Sequence, residues 1–330
     1  MRLYDDLLEL VGNTPMLRLR SGIPNPGPRA YVKLEFLNPT GSVKDRMVLH
    51  VVRKALRNER LKPGDTIIDN TSGNTGVAMG MVAARTGLRA IVVTPDKTSQ
   101  EKIDLIRSFG AEVIVTPTTA THDDPAGCWA VARKLARESG YFDLDQYDSQ
   151  DNVEAHYLTT GPEIWDDTGG LITHFVCGIG TGGTFSGAAR YLREENPAIK
   201  LIAVDPEGSI FAEYIRSRRI TEATIYKVEG IGSDVITKAL HPHLVDEVIT
   251  VSDRDAFNRA RQIAREEGIS AGGSSGAVAV AMEQVAAQAG SDALIVGVFA
   301  DAGTRYLSKC FNDQWMRQHG FLQTTEEVKS

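Results

Sequence analysis

Short runs of β-branched residues alternate with longer amphipathic stretches along almost the whole chain. The apolar runs predict strands at 31–36, 66–69, 90–94, 112–116, 174–177, 201–205, 247–251 and 293–299. They are continuously apolar rather than alternating, the pattern of parallel strands covered on both faces. Between them, residues 43–57 predict a helix with Met47, Val48, Val51, Val52 and Leu56 on one stripe, and 253–267 predict another. Repeated β-α-β-α order predicts an α/β fold with doubly wound parallel sheets. A polar, punctuated segment, YFDLDQYDSQDN, places a change of domain around 145–155. No internal repeat or low-complexity tract interrupts the chain, and QTTEEVKS at the end reads as a frayed tail.

Composition narrows the function classes. The chain has 330 residues, 42% hydrophobic and 24% charged, which fits about two domains of a globular enzyme. Thirty-six basic residues against 43 acidic ones give a net charge of −7 with no block of one sign. That excludes a whole-chain electrostatic footprint for nucleic acid or acidic lipid. No apolar run approaches the ~18 residues of a membrane span. The start MRLYDDLLEL carries acids where a signal peptide needs bases and an apolar block, so a cytoplasmic location is expected. Cys128, Cys177 and Cys310 lie far apart and read as reduced thiols, with Cys177 a small apolar core residue. His241 and His243 form a pair without the third ligand a zinc site needs, so no metal is expected.

Three glycine-rich loops and one lysine carry the chemistry. GIGTGGT, 178–184, joins an apolar strand to a helical pattern, so its N–H groups suit a phosphate. Gly178, Gly180 and Gly183 also satisfy G-x-G-x-x-G, and Asp205 ends the next strand where a dinucleotide fold puts its ribose acid. Phosphate binding, dinucleotide binding and a plain tight turn are all compatible with that loop alone. TSGNTG, 71–76, reads either as a carboxylate-binding loop or as an N-cap with a turn. AGGSSG, 271–276, reads as another such loop or as a tight turn with a serine cap. In NPTGSVKDR, 38–46, Lys44 falls in the first turn of a helix. Such a lysine is ordinarily a solvated surface charge. A helix start disfavours a cation, however, which would help lower its pKa as a Schiff-base lysine requires.

Taken together, in this order, the four segments resemble the fold-type II pyridoxal phosphate enzymes, in the cysteine synthase and cystathionine β-synthase branch, closest to the cystathionine β-synthase catalytic core. The resemblance runs from VGNTP, 11–15, to WMRQHGFL, 315–322. A dinucleotide-binding reading leaves Lys44, TSGNTG and AGGSSG unexplained. The resemblance implies two α/β domains with the cofactor in the cleft between them. The first comprises 1–12 and 35–149, the second 13–34 and 150–330. It implies that Lys44 attaches pyridoxal 5'-phosphate and that Gly180, Thr181, Gly182, Gly183 and Thr184 cradle its phosphate. Asn74 is expected at the pyridine 3'-oxygen and Ser274 at the pyridine nitrogen. Thr71, Ser72, Thr75 and Gln146 are expected to bind the substrate carboxylate.

A hydroxyl at the pyridine nitrogen makes the ring a weaker electron sink than a carboxylate would, which favours expulsion of a β-substituent over transamination. The implied reaction is β-replacement through an aminoacrylate, with Lys44 as base for the Cα proton. TTGPEIWDDT, 159–168, is similar to O-acetylserine sulfhydrylase. TPTTATHDDP, DPEGSI, VEGIGSD and the WMRQHGFL tail are similar to cystathionine β-synthase. The expected reaction is L-serine or L-cysteine with L-homocysteine giving L-cystathionine and water or hydrogen sulfide, with O-acetylserine and sulfide giving cysteine as the alternative. Glu229 is a candidate catalytic carboxylate that could assist with a poor leaving group or a larger thiol, the alternative being a solvated loop acid. Ser233 is a candidate catalytic residue because it stands where the synthase pattern has a tyrosine near the acceptor. Ala300 and Asp69-Asn70 also depart from that pattern. A homodimer is implied, and neither haem nor a regulatory module is expected.

Overall fold

The computed structural model describes residues 3–71, 73–96, 98–117, 119 and 124–322, so the expected frayed tail lies outside the described residues. Its strands are β1 (Met16–Arg18), β2 (Arg29–Leu34), β3 (Thr66–Asn70), β4 (Arg89–Pro95) and β5 (Glu112–Thr116). There follow β6 (Phe142–Asp143), β7 (His174–Gly178), β8 (Lys200–Pro206), β9 (Glu247–Val251) and β10 (Leu294–Phe299). They build two sheets, one in the order β1-β2-β10-β7-β8-β9 and one in the order β5-β4-β3-β6. All pairings are parallel except that of β1 with β2. The fold is therefore α/β with two parallel-sheet domains.

Every residue of β3 and of β10 is buried, which is why these strands read as unbroken apolar runs. The helix predicted at 43–57 runs from Lys44 to Arg57, with Met47, Val48, Val51 and Val52 no more than 2% exposed. Each expected strand is present with ends shifted by at most two residues, whereas β1 and β6 were not foreseen. Those two span three and two residues, too short for a period to show.

β2 leaves the early part of the chain to lie parallel to β10, with Arg29 opposite Leu294 and Leu34 opposite Phe299. The chain then passes through a turn of 3₁₀ helix, Glu35–Leu37, into the lysine-bearing helix of the other half. This crossing is held by a buried ionic cluster. Arg46 donates from Nε and Nη2 to the two oxygens of Glu35 at 2.7 and 2.8 Å, and from Nη1 and Nη2 to those of Glu163 at 2.6 and 2.7 Å. Lys33 joins it, 2.9 Å from Glu163 and donating to the Thr14 carbonyl at 2.6 Å. Burial alone would raise the Glu35 pKa, but the Arg46 charge and hydrogen bonds outweigh it and hold the carboxyl below its usual range.

The turn before Lys44 is tied to the end of β10. The Val43 N–H donates to the Ala300 carbonyl at 2.8 Å, and Ser42 bridges Asp301. Lys44 is thus placed beyond the carboxyl ends of the strands, where open α/β sheets bind their ligands.

Candidate active site

A pocket with an empty volume of about 420 Å³ lies between the Lys44 turn, the loop after β7 and the start of the helix Gly273–Gln288. Lys44, Gly180, Thr181, Gly182, Thr184 and Ser274 all line it. Among the described residues the Lys44 amine has no hydrogen bond or ion pair. Its burial pulls the pKa below the ordinary lysine value, against the weaker opposing influence of Cys177 and Asp301. A helix N-terminus adds to the same tendency. The pocket thus holds an amine biased toward its neutral, nucleophilic form.

The opposite wall is the loop between β7 and the helix Gly183–Glu195, whose first-turn N–H groups have no intrahelical partner. Gly182 has φ +92°, and any Cβ on it would fall 2.5 Å from the Leu240 backbone. A Cβ on Gly180 would lie 2.4 Å from the Gly230 carbonyl oxygen. The Thr181 hydroxyl accepts from Gly183 N–H at 3.3 Å and from the Asn152 amide at 3.0 Å, fixing the loop from behind. Thr184 Oγ1 lies 3.1 Å from Nε2 of His156, whose other ring nitrogen is 2.8 Å from Thr160 Oγ1. His156 is fully buried, and burial followed by the charges of Arg46 and Lys44 pushes its pKa well down, so it is a neutral, two-ended strut.

The expected carboxylate-binding residues do not line this pocket; they cluster beside it. Thr75 donates to Gln146 Oε1 at 2.7 Å, and Gln146 Nε2 donates to the Asn70 carbonyl at 2.9 Å. Thr71 accepts from Gly73 N–H at 3.2 Å, while Ser72 lies outside the described residues. Asn74 donates from Nδ2 to Asp301 Oδ2 at 2.8 Å and accepts at Oδ1 from Arg305, which also donates to the Thr40 carbonyl. Since a guanidinium only donates and a carboxylate only accepts, the orientation of the Asn74 amide is fixed. Among the described residues one Asp301 oxygen is buried without a partner. The other also receives the Tyr306 hydroxyl at 2.6 Å.

Glu229 immediately precedes the pocket-lining Gly230 and Ile231, and its carboxylate is held by both Lys102 and Lys309. Burial works to raise its pKa, but the two ammonium charges prevail and lower it. Ser233 is turned away from the pocket, its hydroxyl donating to the Val235 carbonyl at 2.7 Å and accepting from the Val235 N–H at 3.1 Å. Cys177 lines the pocket but is 2% exposed, its thiol pushed up to about 12 by burial. Asp205, the dinucleotide-type acid, accepts from Ala212 N–H at 2.8 Å and is fully buried. His241 and His243 stack with ring centroids 5.6 Å apart, and among the described residues no cluster suits a metal ion.

Arg305, Lys102, Lys309 and Tyr306 were not singled out from sequence. The one available signal was Lys102, which shares a buried stripe with Ile103 and Ile106 on the helix Gln100–Ser108. A lysine on such a stripe needs a partner.

A parallel-sheet α/β fold with a partnerless lysine facing a glycine cradle at a helix N-terminus defines a class: enzymes that fix a phosphorylated carbonyl compound through an amine. Known proteins agree with it. Residues 7–301 match the family described as pyridoxal-phosphate dependent enzyme, and the chain belongs to that family. It is 42% identical to cystathionine beta-synthase of Mus musculus over 99% of its own length and 59% of that protein's. It is 39% identical to cysteine synthase of Staphylococcus aureus over 92% of its own length and 96% of that protein's. The chain thus spans about three-fifths of the mouse relative it matches and nearly all of the bacterial one. The crystal structure of O-ureido-L-serine synthase superposes with a TM-score of 0.88 at 34% identity, covering 96% of this chain and all of that one. Pyridoxal 5'-phosphate is the cofactor of this family, and the pocket fits it. The Lys44 amine, without a hydrogen bond or ion pair among the described residues, and the Gly180–Thr184 loop, where a Cβ on Gly180 would meet the Gly230 carbonyl, line the same pocket. Among the described residues no helix is long and apolar enough to cross a membrane.

Proposed function

We propose that this chain catalyses β-replacement on a serine-type amino acid, joining L-serine or L-cysteine to L-homocysteine to give L-cystathionine with release of water or hydrogen sulfide. The observation that carries the reading is the content of the pocket: one lysine, the Ser274 hydroxyl and no carboxylate. Bound pyridoxal phosphate supplies an electron sink that acidifies the Cα–H of an amino acid. With a neutral hydroxyl rather than a carboxylate beside the ring nitrogen, that sink is modest, and loss of the β-substituent is favoured over transamination.

In this reading Lys44 would hold the cofactor, and its amine would take the Cα proton and supply a proton to the departing oxygen or sulfur. Gly180, Thr181, Gly182, Gly183 and Thr184 hold the phosphate through N–H groups and hydroxyls. Thr71, Ser72, Thr75 and Gln146 bind the substrate carboxylate, the Thr75–Gln146 bond opening to admit it. Asn74 orients the ring through its oxygen substituent. The two sheets are the cores of domains comprising 1–12 with 35–149 and 13–34 with 150–330, and the cleft closes on substrate. Glu229, whose carboxyl the charges of Lys102 and Lys309 hold below its usual range against its burial, is assigned a binding role here rather than that of proton donor.

A second reading, cysteine synthesis from O-acetylserine and sulfide, is favoured by the near-complete coverage of the staphylococcal enzyme. Mass spectrometry of products separates the two. Purified enzyme receives serine, cysteine or O-acetylserine with homocysteine or sulfide. Cystathionine from serine and homocysteine supports the proposal; cysteine formed only from O-acetylserine and sulfide overturns it. Lys44→Ala protein that keeps the visible band of bound pyridoxal phosphate would remove Lys44 from its role.

A further inference from the structure

Behind the glycine cradle stand two buried polar side chains that do not line the pocket. Asn152 and His156 lie four residues apart, on one face of the helix Gln150–Leu158. That face packs against the helix Gly183–Glu195, which the cradle opens. Two glycines of the second helix, also four apart, allow the close approach. A Cβ on Gly183 would overlap the Asn152 amide, and one on Gly187 would lie 2.7 Å from the His156 Cβ. The packing brings Asn152 to Thr181 and His156 to Thr184, the two hydroxyl residues of the loop. None of the four is more than 8% exposed.

The inventory of donors and acceptors fixes what these contacts do. A hydroxyl has one proton and two acceptor lone pairs. Thr181 Oγ1 accepts from Asn152 Nδ2 at 3.0 Å and from Gly183 N–H at 3.3 Å, which fills both. Asn152 cannot reverse its amide, because Nδ2 also donates to the Gln146 carbonyl at 2.7 Å. Among the described residues the Thr181 proton has no acceptor, and it is available to the pocket that Thr181 lines.

His156 obeys the same logic with one choice left to make. Buried and neutral, its ring has one N–H and one bare nitrogen. Nε2 is 3.1 Å from Thr184 Oγ1, and Nδ1 is 2.8 Å from Thr160 Oγ1. If Nδ1 carries the proton, Thr184 gives its own proton to Nε2 and turns lone pairs towards the cradle. If Nε2 carries it, Thr160 donates to Nδ1 and Thr184 keeps its proton for the cradle. A fully ionised phosphate only accepts hydrogen bonds, so it selects the second arrangement.

We propose that Asn152 and His156 are positioning residues for the cofactor phosphate: together they turn the hydroxyl protons of Thr181 and Thr184 towards it, with the His156 proton on Nε2 and Thr160 donating to Nδ1. The inference rests on the reading that the Gly180–Thr184 loop holds the phosphate, and deepens it. Backbone N–H groups point into the cradle whatever lies behind them, whereas a hydroxyl can rotate. The helix behind the cradle removes that freedom before the cofactor arrives.

The test compares pyridoxal phosphate with pyridoxal, which lacks the phosphate, in fluorescence titrations of the full-length protein freed of cofactor. The readout is the ratio of the two affinities. A variant that merely loosens the fold weakens both ligands and leaves the ratio alone. His156→Leu lowers the ratio about tenfold, the value of one charge-assisted contact. His156→Gln, which returns an amide N–H near the place of Nε2, recovers most of it. Asn152→Leu lowers it by a similar factor. Thr160→Val keeps the shape of threonine, leaves His156 in place and lowers the ratio in the same direction; it decides the matter should His156→Leu fail to fold. Unchanged ratios in His156→Leu and Thr160→Val, with Thr184→Val still lowering it, overturn the positioning and leave His156 a packing group. An unchanged ratio in Thr184→Val takes the phosphate away from the loop, and the proposal falls with that reading.

Discussion

Replacing Arg46 by methionine tests the physical account of how Lys44 is held. The guanidinium is 1% exposed and sits between Glu35, which is fully buried, and Glu163, bonding both oxygens of each. Methionine fills a similar volume and removes the charge. Glu35 then keeps only the Thr14 hydroxyl at 2.6 Å and the Asn38 amide at 2.9 Å, too little to support a carboxylate without water. Breaking a buried ion pair by removing one partner costs about 3–5 kcal/mol. The sign of the pH dependence follows. In the parent protein Glu35 is held below its ordinary value of 4.5, so its contribution is present above that value and is lost as pH falls through the folded pKa. In Arg46→Met burial is opposed only by the Thr14 and Asn38 bonds and the charge of Lys33, so the Glu35 pKa rises and the variant loses further stability as pH rises above the unfolded value. The penalty is therefore larger near neutrality than near pH 5. Urea unfolding followed by tryptophan fluorescence and far-UV circular dichroism at both pH values reads it directly. Arg46→Lys recovers less than half the loss, because an ammonium cannot bond two carboxylates in two forks. A loss below about 1 kcal/mol at neutral pH, or one identical at both pH values, would refute the argument.

Three further outcomes follow from the same reasoning. The Asp45 carboxyl is raised to about 6, chiefly by burial and against the bonds from Thr40. Relative to Asp45→Asn, the parent protein should lose up to about 3 kcal/mol of stability between pH 4 and pH 6, and a flat difference across that window in urea melts would contradict it. Gly180→Ala drives a Cβ to within 2.4 Å of the Gly230 carbonyl. About 2 kcal/mol of overpacking should weaken pyridoxal phosphate binding about thirtyfold in a fluorescence titration of apo-protein, and unchanged affinity would mean that the loop yields freely. Burial pushes the Cys177 and Cys310 thiols up to about 12, so native protein at pH 8 should leave both unmodified by a disulfide reagent. Rapid labelling of either, located by peptide mapping, would show the pocket and core to be open.

What the sequence made legible was local. A lysine in the first turn of 44–57, a glycine loop after an apolar strand and a serine opening a small-residue helix each signal themselves within a dozen residues. The structure brings these three into one pocket. What it left hidden is contact between distant segments. Lys102 reaches Glu229 across 127 positions and Arg305 reaches Asn74 across 231. No periodicity or cap encodes such pairs: the stripe on 100–108 says that Lys102 needs a partner, not which one. Glu229 shows the consequence. From sequence an acid beside the pocket suggests a proton donor, but the two lysines that keep it ionised come from other stretches of the chain. The register of β2 beside β10 was hidden for the same reason, since strand order is a long-range property.

The distribution of these contacts fits the proposed closure of the cleft around one lysine. On one side Lys44 is fixed by backbone, through Val43 to Ala300 and Ser42 to Asp301. On the other it is fixed by the Arg46 forks, buried at Glu35 and largely buried at Glu163. The substrate loop has weaker ties to the opposite wall. They are the hydrogen bonds of Asn74 to Asp301 and Arg305, and the Lys102–Glu229–Lys309 triplet, whose last two members are 28% and 33% exposed. Partly exposed ion pairs are worth about 0–1 kcal/mol and break readily, whereas the buried forks do not. In the proposed closure, motion would fall to the wall that admits substrate rather than to the amine that meets it. In that reading substrate binding would supply the energy for closure while Lys44 stays in place.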